Sequence, residues 1–564
     1  MMGRVRRQLG RVRRAVRRVG RPPVPANDGL GPVVLAEADR LAGPAPLRVA
    51  VVHGGGAPGW ASELAARGAA LTLVEVGVSP SDRHVRLTAE PQFDLVVDAV
   101  VNPTGRAQRF VDSFYQLRAG GTYVGRGGAA DLAPDPHRVG ALLERAAGTR
   151  GTPVPRPKAG TPRRVFEEHA LGRAAETVRT AGEHLVVVNG QGDALPKLRE
   201  LELDALVALR PELPVRTLRV IEAESFASRC AFHEVGSKLG APPPTEYHAP
   251  AVPVREYRDA LVLPGQIVQV DRFLTPDTFR HHLEKRLRNR HLEDQAARFA
   301  RLRDETPDAV QLSGSYYHLD NEERGHYGHL MTEGLSRLWA WEESKAADPD
   351  LKVLLGINRR KEVQPYEYTI YAAAGIPAED IVLVDGPVRV ERLVTPAPLL
   401  SNPIFVHPRI RETWRSVGDR LAADASDGPR PERFFCSRRL SKRSCTNTAE
   451  VEDLFREAGF EIVFPEDHTI ADQVAMFRSA DVIAGFAGSG LFNLCFVPDP
   501  VRVITLRSEA YTAHNEHLMA ALLGHSIDSV VSVPKNPGNF QSPFTFDLDH
   551  EGRDLVKILE ALPG

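Results

Sequence analysis

The sequence predicts an α/β protein, a Rossmann-like N-terminal domain followed by two further α/β units facing each other across a cleft. Three observations predict it: strand-like and helical stretches alternate after the Pro22–Pro25 hinge, alternate again from about residue 255, and do so once more from Arg433. In the first stretch, 47–60 (LRVAVVHGGGAPGW) reads as a buried strand entering a glycine turn, and 62–68 as a short helix. Strands are predicted at 71–77, 93–101 and 120–127, with a helix containing Phe110 and Leu117 before the last. The proline-rich segment 148–164 reads as a linker. Beyond it HLVVVN, ALVAL and TLRVIE read as strands and KLRELEL as a helix. From 255 onward we expect a strand at ALVLPGQIVQV, a long charged helix between Thr278 and Arg303, a helix at HYGHLMTEGLSRLWAW, and strands at LKVLLGI and DIVLVDG. The last unit reads as strand RFFCSRR, helix EVEDLFREAGF, strand EIVFPE, helix IADQVAMFRSA, then strands DVIAGF and VRVITLR. The expected division is a basic tail at 1–25, a Rossmann-like domain at 45–150, a connecting region at 151–250, and lobes at 251–425 and 426–564.

At 564 residues the chain exceeds a single core, since domains average about 150 residues. Its 42% hydrophobic and 26% charged residues exclude the disordered class, and no apolar run reaches the roughly 18 residues of a spanning helix. Four cysteines, none in a CxxC pair, indicate neither a disulfide framework nor a structural zinc site, so a cytoplasmic location is expected. Residues 1–21 hold nine arginines and no acid, which leaves the remainder of a chain of net charge −2 at −11. On a helix, Val5, Leu9, Val12, Val16 and Val19 form one apolar stripe flanked by arginine. The tail therefore reads either as an interfacial helix on an anionic membrane surface or as a solvated leader. No nucleic-acid partner is expected.

Chemistry-bearing residues cluster late in the chain. Gly485, Gly488, Ser489 and Gly490 form a small-residue loop between a strand and a helix containing Asn493, where backbone N–H groups and the helix dipole suit a pyrophosphate. Arg438, Arg439, Lys442 and Arg443 follow the strand at 433, on the edge where open sheets bind ligands, and a guanidinium there can neutralise a departing nucleoside diphosphate without a metal. His326, His329 and Glu333 have spacings of three and four and share a helix face, which suits a general base, either carboxylate or imidazole. The same cluster can also be structural hydrogen bonding. Glu509 and Glu516 read either as surface carboxylates, the favoured reading, or as partners for ribose hydroxyls.

The stretch from RRLSKRSC to GSGLFNLCF resembles glycosyltransferase family 61, and the resemblance reaches back through GHYGHLMTEGLSRLW to cover about 250–540. It implies a two-lobed GT-B architecture, an inverting reaction, a nucleotide-sugar donor, a glycan or glycoconjugate acceptor and no required metal or cofactor. It matches His329 and Glu333 to the family's histidine and acid. Family members commonly carry HGAGL in the glycine loop; here Ala487 stands in place of the histidine and Ser489 in place of the alanine.

In the N-terminal domain, Gly54, Gly56 and Gly59 follow a strand in GxGxxG order, and Glu75 ends the next strand where a ribose-binding acid belongs. The pattern resembles class I methyltransferases and implies S-adenosylmethionine, although His53 stands where an acid is usual. A structural or docking module is the reading favoured here. For the whole chain, a glycan methyltransferase and a non-catalytic sugar-nucleotide scaffold are the alternatives to a glycosyltransferase.

Overall fold

Runs such as Val49–Val52, all four without solvent exposure, are strands covered on both faces. A computed structural model describes residues 29–127, 139–152, 162–237, 240–280, 286–304, 306–358, 362–439 and 443–562; the arginine tail, most of the proline-rich linker and Lys442 lie outside them. The chain forms two compact units, one ending at Glu212 to which Leu292–Arg303 returns, the other starting at Leu213. No helix of the described residues is long and apolar enough to cross a membrane.

In the first unit, β1 (Arg48–His53), β2 (Ala70–Glu75), β3 (Phe93–Asp98) and β4 (Leu117–Arg126) are parallel. β5 (Ala175–Ala181) and β6 (His184–Asn189) extend the sheet in the order β2-β1-β3-β4-β6-β5, with β6 antiparallel to both neighbours. Part of the stretch expected to connect the halves of the chain, 175–189, thus completes the first sheet, while Val215–Ile221 and Phe232–Gly236 join the sheets of the second unit.

Three sequence expectations fail in this unit: Leu117, expected in the helix with Phe110, instead opens β4, because that helix ends at Phe114. ALVAL is not a strand but the end of the helix Glu200–Leu209, which buries Leu203 and Leu206 and is capped by Glu202 accepting from the Arg199 N–H at 3.0 Å. The helix expected between Thr278 and Arg303 is instead, in its C-terminal half, a strand pair, Leu292–Ala296 and Phe299–Leu302. Phe299 and Ala296 are buried in the first unit's core, and Lys197 bonds Asp294 and the Ala296 carbonyl there. Tertiary burial overrides a helical charge pattern at this point.

The second unit contains, among its described residues, a mixed sheet and a parallel sheet. The mixed sheet is built from β7 (Val215–Ile221), β9 (Val252–Leu263), β10 (Ile267–Val270), β11 (Phe273–Leu274), β12 (Val310–His318), β13 (Lys352–Gly356), β14 (Ile381–Val384) and β15 (Val388–Pro396), in the order β11-β10-β9-β15-β12-β13-β14 with β7 on β9. The segment expected as one strand at ALVLPGQIVQV is a hairpin. It turns at Gly265, whose φ is +90°, and the Asp320 carboxylate accepts from the Gly265 and Gln266 N–H groups.

The parallel sheet comprises β8 (Phe232–Gly236), β16 (Arg433–Cys436), β17 (Glu461–Val463), β18 (Val482–Phe486), β19 (Arg502–Ser508) and β20 (Ser526–Ser532), ordered β8-β20-β19-β18-β16-β17. One apolar core joins the two sheets and includes Tyr317, Trp341, Leu355, Phe434, Val474, Leu494 and Ile527. In the parallel sheet the chain runs outward from β16 to β17 and then returns to the other side as β18. The ends of β16 and β18 are therefore a topological switch point, the usual ligand crevice of such sheets.

Contact between these two strands is close, because a Cβ on Gly485 would lie 2.7 Å from the Cys436 Cβ and 2.9 Å from its carbonyl oxygen. Gly485→Ala is expected to destabilise the chain by about 1–3 kcal/mol through overpacking. A lowered urea midpoint checks this, and an unchanged one contradicts it.

Candidate active site

The helical run 327–347 begins as a turn at Tyr327–His329, widens into a π-helical turn at Leu330–Gly334 and tightens to a 3₁₀ stretch at Leu335–Ala340. Such π turns put side chains off the regular spacing and recur at functional sites. Within the run, His329 Nδ1 lies 2.8 Å from Glu333 Oε1, and the Arg280 Nε–H donates to the same oxygen at 2.6 Å. A carboxylate only accepts, so Nδ1 carries the hydrogen, which in the neutral imidazole leaves the lone pair on Nε2. Arg280 Nη2, 3.1 Å from Nδ1, then contributes charge to the cluster rather than a bond. The exposed His326 ring stands 4.9 Å from that of His329.

Burial alone would raise the Glu333 carboxyl, but the His329 bond and the Arg280 charge outweigh it and bring it from 4.5 to about 2. Its Oε2 is buried without a hydrogen-bond partner. A carboxylate so stabilised is a weak base, and its position suits holding the imidazole.

At the switch point, Arg438 follows β16 and lies 4.8 Å over the Phe486 ring, while Arg443 stands 4.8 Å over Tyr511 and 5.1 Å over Phe540. Arg438 Nε and Arg443 Nε and Nη1 are buried and have no hydrogen-bond partner among the described residues. Burial, reinforced by the Arg443 charge, lowers the Arg438 guanidinium to about 10. The loop after β18 abuts this pair. Gly488 has a φ of +136°, and a Cβ there would meet Arg443 Nη2 at 3.3 Å. Two guanidiniums with unmet donors beside a backbone loop form a cradle for a polyanion.

The predicted residues divide on inspection. Ser489 and Gly490 are partly exposed at the start of the 3₁₀ helix Ser489–Phe496. The Gly488 N–H is not free for a ligand, because Glu516 Oε1 accepts it at 2.6 Å. Glu516 is itself buried, which raises its carboxyl, and it accepts from the Tyr511 hydroxyl at 3.2 Å, so it braces the loop instead of meeting solvent. Asn493 is fully buried and bonds Tyr327 at 2.7 Å and Gln473 at 3.0 Å. Arg439 turns to the surface, where the Asp467 carboxylate accepts from its Nη1 and Nη2 at 2.6 and 2.7 Å. Glu509 is half-buried past the end of β19. In the first unit Gly54, Gly56 and Gly59 have open space around them, and only Gly56 of the three needs a left-handed φ, +72°. Glu75 pairs in register with His53 and is exposed.

Sequence reading missed Arg280, hidden in the misassigned helix, and the bracing roles of Tyr511 and Glu516. The Gly328–Ser489 contact was equally invisible. A Cβ on Gly328 would lie 3.0 Å from the Ser489 Cβ, so the helical run and the glycine loop touch. Among the described residues no cluster of three His, Cys, Asp or Glu could hold a metal ion.

The helical run, Arg438, Arg443 and the glycine loop all fall in one stretch of the chain. Residues 327–504 match the family model of glycosyltransferase 61. No curated protein matches the chain. Among solved structures, crystals of the MycE methyltransferase from the mycinamycin biosynthetic pathway show a weak similarity to the N-terminal region of the chain. One form, with Mg and SAH, gives a TM-score of 0.21 at 16% identity over 26% of this chain and 45% of that one. A second form gives 0.22 at 14% identity over 28% and 49%. The chain spans less than half the length of these proteins, and scores of this size leave the first unit to be read from its own residues.

The depressed Glu333 carboxyl stabilises the fold fully above its unfolded value of 4.5, and that contribution is lost as pH falls toward about 2. Glu333→Gln is therefore expected to destabilise the chain at pH 7 by up to about 3 kcal/mol, with the gap to the parent narrowing as pH drops from 4.5 to 3. Denaturant titrations across that range check it; a gap that widens toward acid contradicts it.

Proposed function

We propose that the second unit is an inverting glycosyltransferase that moves a sugar from a nucleotide-sugar donor to a hydroxyl of a glycan or glycoconjugate acceptor. The observation that carries this reading is the pair Arg438 and Arg443, whose buried donors lack partners beside the Gly488–Gly490 loop at the sheet's switch point. The donor diphosphate lies against these guanidiniums and the first amides of the 3₁₀ helix, and as the glycosidic bond breaks they neutralise the leaving phosphate without a divalent cation. His329 Nε2 takes the proton of the acceptor hydroxyl as its oxygen attacks the anomeric carbon from the side opposite the phosphate, which inverts that centre. Glu333 holds the imidazole by Nδ1–H and stabilises the imidazolium that forms, while Arg280 keeps Glu333 ionised. The mixed and parallel sheets correspond in this reading to the two lobes of a GT-B enzyme. The arginine tail holds the enzyme on the inner face of a membrane during cell-surface polysaccharide synthesis.

For the first unit we propose a structural or docking role. Gly54 and Gly59 sit in open space with no backbone need for glycine, and His53, lowered by burial against the pull of Glu75, replaces an acid. Saturable S-adenosylmethionine binding in a calorimetric titration would reverse that assignment.

Arg438→Ala is expected to weaken donor binding by about 2–4 kcal/mol, the cost of removing one side of a desolvated charge pair. His329→Ala is expected to slow turnover by roughly 10²- to 10⁴-fold with donor affinity intact. Calorimetry and single-turnover rates measure the two effects. Chelator sensitivity together with unchanged donor affinity in the arginine variant would overturn the metal-free assignment, and parental rates in the histidine variant would remove His329 as the base.

A further inference from the structure

A cavity of about 180 Å³ opens elsewhere in the second unit, where β8, β19 and the helix Asn515–Leu523 meet. Phe232 and the run Pro242–Pro244 supply apolar walls. Its polar side chains are Glu234, Tyr247, Arg507, His514 and His517. Arg507 and Glu234 are paired with each other, with side chains only 6% and 8% exposed, and Ser529 Oγ accepts from Arg507 Nε at 3.3 Å. The two imidazoles stand 5.1 Å apart, and His517 Nδ1 is buried with no hydrogen-bond partner among the described residues. Burial and the Arg507 charge lower both, His517 to about 3, so both rings are neutral at pH 7.

This cavity differs in kind from the phosphate crevice. Its one cation is already balanced by its one anion, so a charged ligand gains no net Coulomb energy on entering. A cavity of about 150 Å³ holds a benzene-sized molecule, so this one admits a single ring and not a nucleoside diphosphate. Glu234 Oε1 also accepts from the Gly240 N–H at 2.5 Å, so a ligand meets only the remaining lone pairs and N–H groups of the Arg507–Glu234 pair, while each neutral imidazole offers one donor and one acceptor. A hydroxyl both donates and accepts and can satisfy such a set through one atom, whereas a ring carrying several hydroxyls and an apolar face also fits the proline and phenylalanine walls. We propose that this cavity binds one neutral sugar ring, as a subsite separate from the Arg438–Arg443 crevice. The assignment rests on the cavity's own chemistry and stands whether or not the donor reading holds. The two sites share one structural element, because Glu516 braces the glycine loop from the same helix that brings His517 to the cavity.

The test uses the full chain and a panel of neutral pentoses, hexoses and N-acetylhexosamines followed by saturation-transfer NMR, with free nucleobases and inorganic pyrophosphate in parallel. At least one sugar is expected to bind with a dissociation constant on the order of 10 mM or tighter. His514→Ala, a change at a half-buried position, and His517→Phe, which keeps a ring in place, are each expected to weaken it about five- to tenfold, as loss of a neutral hydrogen bond does. Pyrophosphate affinity should stay within about twofold in both variants, and its loss in Arg438→Ala reports separately on the crevice. Binding of no sugar, sugar binding indifferent to both histidine variants, or binding of nucleobases in place of sugars overturns the proposal.

Discussion

The second unit depends on one buried hydrogen-bond relay, Tyr327 to Asn493 to Gln473, which ties the helical run behind the mixed sheet to the glycine loop and its neighbouring helix in the parallel sheet. Tyr327 packs edge-on against Tyr366 at 5.5 Å, and Gly328 lets Ser489 approach to within side-chain contact. A buried amide that lost either partner would leave a desolvated polar group costing about 1–3 kcal/mol, so the relay fixes one relative placement of the two elements. That placement sets His329, the next residue after Gly328, beside the loop that approaches Arg443. Asn493 is fully buried within this relay, with both ends of its amide bonded.

The two halves of the candidate site handle charge in opposite ways. Glu333, His329 and Arg280 neutralise one another, and the carboxyl is held ionised despite its burial. Arg438 and Arg443 instead face each other's charge with aromatic faces as their main support, and Arg438 is lowered to about 10 in consequence. Tyr511, Cys445 and the buried Glu516 offset this in part. Such an arrangement is unfavourable in the free protein and becomes favourable when a polyanion arrives, the usual compromise between stability and function at a binding site.

Strand and helix alternation in the parallel sheet of the second unit was legible because its strands are short apolar runs bounded by helices with clear apolar faces, as in Val482–Phe486 after Ile470–Ser479. The spacing of His329 and Glu333 was legible for the same reason, since neighbours on a helix face can be counted. Arg280 was not, because it reaches Glu333 from 53 positions away through a segment whose charge pattern mimicked a helix. Composition could show that Arg438 and Arg439 are adjacent cations, but only packing sends one over Phe486 and the other out to Asp467. Glu516 looked like a solvent-facing ribose ligand and became a buried brace, because a carboxylate 28 residues from Gly488 has no local signature of the amide it accepts. Long-range pairing of this kind is where residue periodicity carries no information.

The most direct measurement is a thermal-shift series on the full chain with nucleoside diphosphates and nucleotide sugars at increasing concentration. A ligand held in the crevice at 100 times its dissociation constant adds about 2.7 kcal/mol to stability, so at least one nucleotide should raise the melting temperature in a saturable, concentration-dependent way that persists in chelator. A melting temperature unmoved by every nucleoside diphosphate and nucleotide sugar in the series would contradict a donor site at Arg438 and Arg443.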